Sequence, residues 1–447
     1  MVRSSSTVRV LGTARVVAVS VLAACSPDAT APTDGQATPV AVGEIAASVT
    51  ATSGSLELAS VTSAGTASTT SSTTCSLSAD GRLMLFASTA SNLVGGDTNG
   101  AQDLFLRNLP TGVTWRVTTG PGGTQLARGG SCGGSTMTPD ARLVAFNSVD
   151  HGGTVYVKNT QTGALTQVSP DSGAVPQVTG FFGGALSDDG TKVVFITKPQ
   201  QVYVGAYRWV NVIPARLMLR DLTTGALVTL PTDNGNVADG EVTAIQFAIS
   251  PDGQRVAFSS SSSTLVAGDT NGRPDLFVRN LADGTTVLAS STSSGAPAIA
   301  GGIYWRPAFV SNTQLAFGTG SNSSLGDRGL YLKDIASGAL RLLLRDSEGG
   351  SSAVLSGDAR LAVFNRIYSG FNTRIVARDL ATGVETLVSS SASGTPSNGS
   401  ATGAVVSRTG SHVAFGSSAS NLWTPRPPTG VFQIYVRSLG PSVASLP

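Results

Sequence analysis

Short apolar runs ending in phenylalanine recur seven times along the chain: LMLF at Phe86, LVAF at Phe146, KVVF at Phe195, RVAF at Phe258, QLAF at Phe317, LAVF at Phe364 and HVAF at Phe415. The steps between them are 60, 49, 63, 59, 47 and 51 residues, the scale of one propeller blade. A polar turn precedes nearly every run: SADGR (78–82), TPDAR (138–142), SDDGT (187–191), SPDGQ (250–254), SGDAR (356–360) and SRTGS (407–411), with only Ser311-Asn312-Thr313 in the fifth repeat. Asp-Gly and Pro-Asp supply the backbone angles of tight hairpin turns. After a variable loop comes a second strand: DLFLRNL (103–109), TVYVKNT (154–160), RLMLRDL (216–222), DLFVRNL (275–281), GLYLKDI (329–335), RIVARDL (374–380) and QIYVRSL (433–439). A Thr-Gly, Asp-Gly or Ser-Gly turn and a third short strand follow in the first six repeats. The segment leading into the next Asp turn supplies a fourth, innermost strand. The pattern predicts an all-β fold, a seven-bladed β-propeller with four-stranded blades.

The order S-P-D-G, a V-A-F strand, L-Y-V-R-D-L and then T-G resembles the WD40-like repeat of TolB-type propellers. The resemblance covers residues 54–440 and implies a propeller of the bacterial cell envelope. The additional N-terminal α/β domain of TolB has no counterpart here.

The last repeat stops at Ser438-Leu439-Gly440, before its outermost strand, whereas SLELASVTSAG (55–65) reads like TTVLASSTSSG (285–295). The N-terminal segment is therefore predicted to supply the outer strand of blade 7, so that residues 55–61 pair with 433–439 and the ring has no open joint.

Residues 1–24 carry Arg3, Arg9 and Arg15 and then the apolar run VVAVSVL, the layout of an export signal too short to span a bilayer. Leu22-Ala23-Ala24-Cys25 resembles the lipobox of bacterial lipoproteins. That likeness implies a lipid on Cys25 as the mature N-terminus and, with Ser26 in place of Asp, an outer-membrane location where the source has one. Residues 25–53 are rich in Pro, Ala and Thr without period and read as a flexible tether. Residues 441–447 form a C-terminal tail.

Composition adds two constraints. Charged residues make up only 13% of the chain, so its surface rests on Ser, Thr, Asn and 53 glycines. Removing residues 1–24 takes the 29 basic and 27 acidic residues to 26 and 27, which gives no electrostatic footprint for nucleic acid. A monomer is expected, reaching the membrane through its lipid.

Several residues invite chemistry. Gly129-Gly130-Ser131-Cys132-Gly133 matches the G-x-S-x-G hydrolase pattern, but no helical period follows it. His151 and His412 are the only histidines, too few for an ordinary zinc site. Cys75 and Cys132 precede the Asp turns of consecutive blades and are read as a disulfide, with two buried thiols as the alternative. Their distances from the turn differ by three residues. The loops SNLVGGDTNGAQDLF (91–105) and STLVAGDTNGRPDLF (263–277) place Asp97, Asn99 and Asp103, and Asp269, Asn271 and Asp275, in the alternation of a compact Ca2+ loop. The alternative is an Asn-Gly turn whose Asp side chains cap backbone N–H groups. A cation recurs in each second strand (Arg107, Lys158, Arg220, Arg279, Lys333, Arg378 and Arg437) and is predicted to pair with the turn carboxylates Asp80, Asp140, Asp189, Asp252 and Asp358.

The loops between first and second strands lie on the face opposite the Asp turns. They concentrate aromatic residues: Tyr203, Tyr207 and Trp209 in blade 3, Tyr368 and Phe371 in blade 6, and Trp423 in blade 7. Either they hold a partner or they cover the blade tops. The reading that follows is a non-enzymatic envelope lipoprotein that binds a protein or glycan through this face and needs no cofactor. The alternatives are a glycan-active lyase or hydrolase, and a Ca2+-dependent glycan-binding module.

Overall fold

The computed structural model describes residues 50–440 apart from 52–53, 149–152, 172–180, 198–199, 204–208, 214, 231–245, 268, 270–273, 296–306, 320–324, 350–352 and 369–371. Its strands form seven four-stranded antiparallel blades. In blade 1 the order from the inside outward is Ser72–Leu77, Leu83–Ser88, Asp103–Asn108 and Val113–Arg116. The same order repeats through blade 6.

In blade 7 the inner three strands are Ala401–Val406, His412–Ser417 and Gln433–Ser438, and the fourth is Leu56–Leu58 from the far end of the chain. Leu56 pairs with Arg437, Glu57 with Val436 and Leu58 with Tyr435. The backbone N–H groups of Ala59 and Ser438 extend the ladder to Ile434 and Ser55. The ring thus closes as the sequence predicts. Within the stretch read as tether, Thr50–Ala51 pairs in parallel with Thr386 and Leu387 on the outer edge of blade 6.

The Phe strands are apolar at nearly every position because both their faces are buried. Seven apolar cores exist, one per joint between neighbouring blades. Phe146, for example, packs against Leu85, Leu104 and Leu106 of blade 1, while its neighbour Ala145 faces Phe195 of blade 3. Each of the seven phenylalanines is almost wholly buried. In five blades the next strand places an aromatic directly opposite: Phe86 with Phe105, Phe146 with Tyr156, Phe258 with Phe277, Phe317 with Tyr331 and Phe415 with Tyr435. Their ring centroids lie 5.6–6.1 Å apart, and such pairs add about 0.5–1.5 kcal/mol each beyond burial.

The Asp turns share one hydrogen-bond pattern. Ser78 Oγ donates to Asp80 Oδ1 at 2.6 Å and accepts from the Leu83 N–H at 2.9 Å, while the Arg82 N–H donates to Asp80 at 3.0 Å. Thr138 with Asp140, Ser187 with Asp189, Ser250 with Asp252 and Ser356 with Asp358 repeat it. Burial tends to raise the carboxyls of Asp80, Asp140 and Asp189, but the hydrogen bonds outweigh it and hold all three below the usual carboxylate range. The residue after the Asp takes a left-handed conformation, by Gly81 (φ +77°) in blade 1 but by Ala141 (φ 55°) and Ala359 (φ 54°) in blades 2 and 6.

Candidate functional site

The strand order assigns the two faces. Asp turns and Thr-Gly turns lie on one, and the loops between second and third strands and the connections between blades lie on the other. On the loop face blade 3 carries an addition: Gln200–Tyr203 and Trp209–Ile213 form a separate two-stranded sheet, with Tyr203 paired to Trp209 at its outer end. Tyr207, Phe371, Asn271 and Cys25 lie outside the described residues. Tyr368 is half-buried, with the Arg374 guanidinium 4.5 Å from its ring centre. Trp423 is half-buried and packs against the core between blades 6 and 7, so it is partly a structural residue.

The first GDTNG loop gathers its polar side chains around protein donors. Asp103 is fully buried and accepts from Thr118 Oγ1, from Asn99 Nδ2 at 3.0 Å and from Gln125 Nε2 at 3.3 Å. Burial raises its pKa against these bonds. Asp97 accepts from Gln125 Nε2 at 2.9 Å and lies 3.6 Å from Arg116 Nη1. Asn99 also donates to the Leu126 carbonyl and caps the Ala101 N–H. A cation here would have to displace Arg116 and Gln125.

Asp103 also belongs to a repeated device that sequence reasoning missed. A Ser or Thr just beyond the outer strand reaches back to the start of the third strand. Thr118 donates to Asp103 and accepts from the Leu104 N–H; Ser290 does the same with Asp275 and Leu276, and Ser60 with Gln433 and Ile434. Ser169 and Ser389 accept the equivalent N–H in blades 2 and 6. Gln433 shows that an acceptor at this position need not be charged. The signal in the sequence is the Ser or Thr recurring two residues past the outer strand in these five blades.

The predicted pairing of the ring cations with the Asp turns is corrected. Six of these cations reach to the preceding blade, whereas Arg279 Nη1 donates to Thr286 Oγ1 at 3.0 Å within its own blade. Arg107 Nη1 donates to the Thr62 carbonyl, Lys158 Nζ to Thr119 at 2.8 Å, Arg220 Nε to Val168 at 2.9 Å, and Lys333 Nζ to the Ser291 and Thr292 carbonyls. Arg378 meets Glu348 at 2.9 Å. Arg437, fully buried, donates to the carbonyls of Val388, Gly54, Ser390 and Ser391. Burial lowers the pKa of Arg107, Lys158, Lys333 and Arg437. These side chains staple blade to blade. The turn carboxylates are instead occupied by their own turns and by Arg82, Arg142 and Arg255.

Inner strands are tied to each other around the channel. Cys75 and Cys132 form a disulfide with Cα atoms 5.1 Å apart. Their three-residue difference from the turn is absorbed by irregularities in both strands, between Thr74 and Ser76 and between Ser131 and Thr136. Thr74 Oγ1 donates to the Gly403 carbonyl of blade 7, and Thr136 Oγ1 to the Gly184 carbonyl of blade 3 at 2.8 Å. Ser131 opens the inner strand of blade 2 and not a strand-to-helix elbow.

At the turn-side mouth of the channel, Arg408 of blade 7 donates to Asp188 of blade 3. Only these two blades carry a charge at the second turn position, where the others have Ala79, Pro139, Pro251, Asn312 and Gly357.

No family model matches the chain, and no curated protein does. Among solved structures it is similar to an oligogalacturonate lyase in complex with manganese, at 15% identity and a TM-score of 0.55, over 88% of this chain and 99% of that one. It is also similar to prolyl endopeptidases (14% identity, TM-score 0.51, 83% of this chain and 48% of that one) and to a putative TolB from Agrobacterium tumefaciens (15% identity, TM-score 0.38, 61% and 80%). What the chain shares with the lyase and the prolyl endopeptidases is the fold. Among the described residues no helix is long and apolar enough to cross a membrane, and no three His, Cys, Asp or Glu side chains gather as metal ligands.

Proposed function

We propose that the chain is a non-enzymatic binding scaffold of the bacterial envelope, held to the membrane by a lipid on Cys25, whose loop face binds a protein or glycan partner. The observation that carries this reading is the blade 3 hairpin, 200–203 with 209–213. It is a two-stranded sheet outside the sheets of the blades, on the face opposite the short turns. Binding residues commonly sit on such additions to a rigid scaffold. Trp209 ends one of its strands and is the first candidate anchor; aromatic anchors can cost about 2 kcal/mol or more when truncated.

The enzyme reading draws on the fold shared with the lyase. For this chain, a metal-assisted reaction would need ligands from outside the described residues, and Ser131 opens a strand and not the strand-to-helix elbow of a hydrolase. Replacing residues 200–213 by a short Gly-Ser turn tests the proposal. Recovery of a partner from envelope extracts should be lost while the thermal midpoint moves by no more than about 2 °C. Undiminished recovery, or turnover of oligogalacturonate by the wild-type chain, would contradict it.

A further inference from the structure

The turn-side mouth of the channel holds a cavity of 270 Å3 that the loop-face reading does not use. Leu77, Met137, Phe309, Val354, Leu355 and Val406 line it, contributed by inner strands of blades 1, 2, 5, 6 and 7 and their flanks. It runs outward between blades 5 and 6, whose inner strands Ala308–Phe309 and Val354–Leu355 are only two residues long, and reaches Ala316 and Leu330. Its volume lies just below the range of about 300–1,000 Å3 common for ligand sites, so an occupant must be small.

One pair of charges, Arg408 and Asp188, borders this apolar space. Their side chains are only 38% and 30% exposed. The two charges are not equally permanent. A guanidinium stays protonated in proteins, whereas a carboxyl can take up a proton. Burial first, and then the adjacent Asp189 carboxylate, push the Asp188 pKa up against the pull of Arg408. The Asp188 carboxylate thus occupies, on Arg408, the place that an anionic head group would take.

We propose that the cavity binds a small amphiphilic carboxylate, its apolar body among Leu77, Met137, Phe309 and Leu355 and its carboxylate on Arg408 in place of Asp188. A planar guanidinium receives a carboxylate through two parallel hydrogen bonds, which favours this head group over a hydroxyl. The site is on the face opposite the blade 3 hairpin, so it stands apart from the partner surface proposed above.

Titration calorimetry of the full chain with octanoate, octylammonium and octanol tests this. Octanoate should bind saturably, and octanol at least about tenfold more weakly. Asp188→Asn removes the competing carboxylate and should tighten octanoate at least about fivefold, while Arg408→Met should weaken it at least about tenfold. Replacing residues 200–213 should leave octanoate binding unchanged. The proposal is overturned if octylammonium binds as well as octanoate, if Arg408→Met binds octanoate like the wild type, or if Asp188→Asn shows no saturable binding. Should Arg408→Met fail to fold, the comparison of Asp188→Asn with the wild type decides.

Discussion

Arg408 and Asp188 are 220 residues apart in sequence and belong to blades 3 and 7, yet their side chains meet at the mouth of the channel. The contact exists only because the ring is closed. Its surroundings make Asp188 behave unlike the other turn carboxylates. Its folded pKa is raised, so the folded chain binds a proton more readily than the unfolded chain does, and stability rises as pH falls through the window just above 3.8. Asp80, Asp140 and Asp189 are lowered, so their contribution is complete above 3.8 and is lost as pH falls through their folded values. Urea midpoints measured against pH should rise less in Asp188→Asn than in the wild type, because Asp103 and Glu57, whose pKa values burial also raises, remain in both, and the acid loss below 3.8 should be kept in both. An identical rise in the variant would refute this assignment.

Arg437 is expected to dominate among the staples. Its guanidinium is fully buried and serves four carbonyls, three of them on the preceding blade. Arg437→Met leaves those acceptors unpaired and should cost about 3 kcal/mol or more. Arg82→Met, which removes an exposed pair with Asp80, should cost less than about 1 kcal/mol. Denaturant unfolding of the two variants checks the order.

What the sequence disclosed, and what it hid, follows from the distance over which each relation acts. The Phe strands and their turns are local and periodic, so Phe86 to Phe415 could be aligned by eye. The closure of blade 7 was legible because 55–65 repeats a motif found elsewhere. The staples were misread because the carbonyl that Lys158 or Arg220 meets lies 39 or 52 residues earlier, and a backbone carbonyl has no signature in sequence. The offset between Cys75 and Cys132 could not be interpreted without the irregularities that absorb it. The spacing of Asp103 and Asn99 fits a Ca2+ loop and a capped Asn-Gly turn alike, and the hydrogen bond from Thr118 to Asp103 joins residues 15 positions apart, which spacing alone does not disclose.

That structural role of Asp103 can be checked directly. Gln433 fills the equivalent place in blade 7, so Asp103→Asn should shift stability by less than about 1 kcal/mol. Millimolar Ca2+ should give no heat and no rise in thermal midpoint with either the wild type or the variant. Saturable heat that disappears in Asp103→Asn would restore the Ca2+ reading.

The central claim, that the loop face meets the partner, is tested most directly by photo-crosslinking in intact cells. A benzophenone side chain would be placed at Thr98, Ser393 or Thr424 on the loop face and at Thr111, Thr162 or Thr382 in the exposed turns opposite. The account predicts a crosslinked protein or glycan from at least one loop-face position and none from the turns. Adducts from Thr111, Thr162 and Thr382 alone would contradict it.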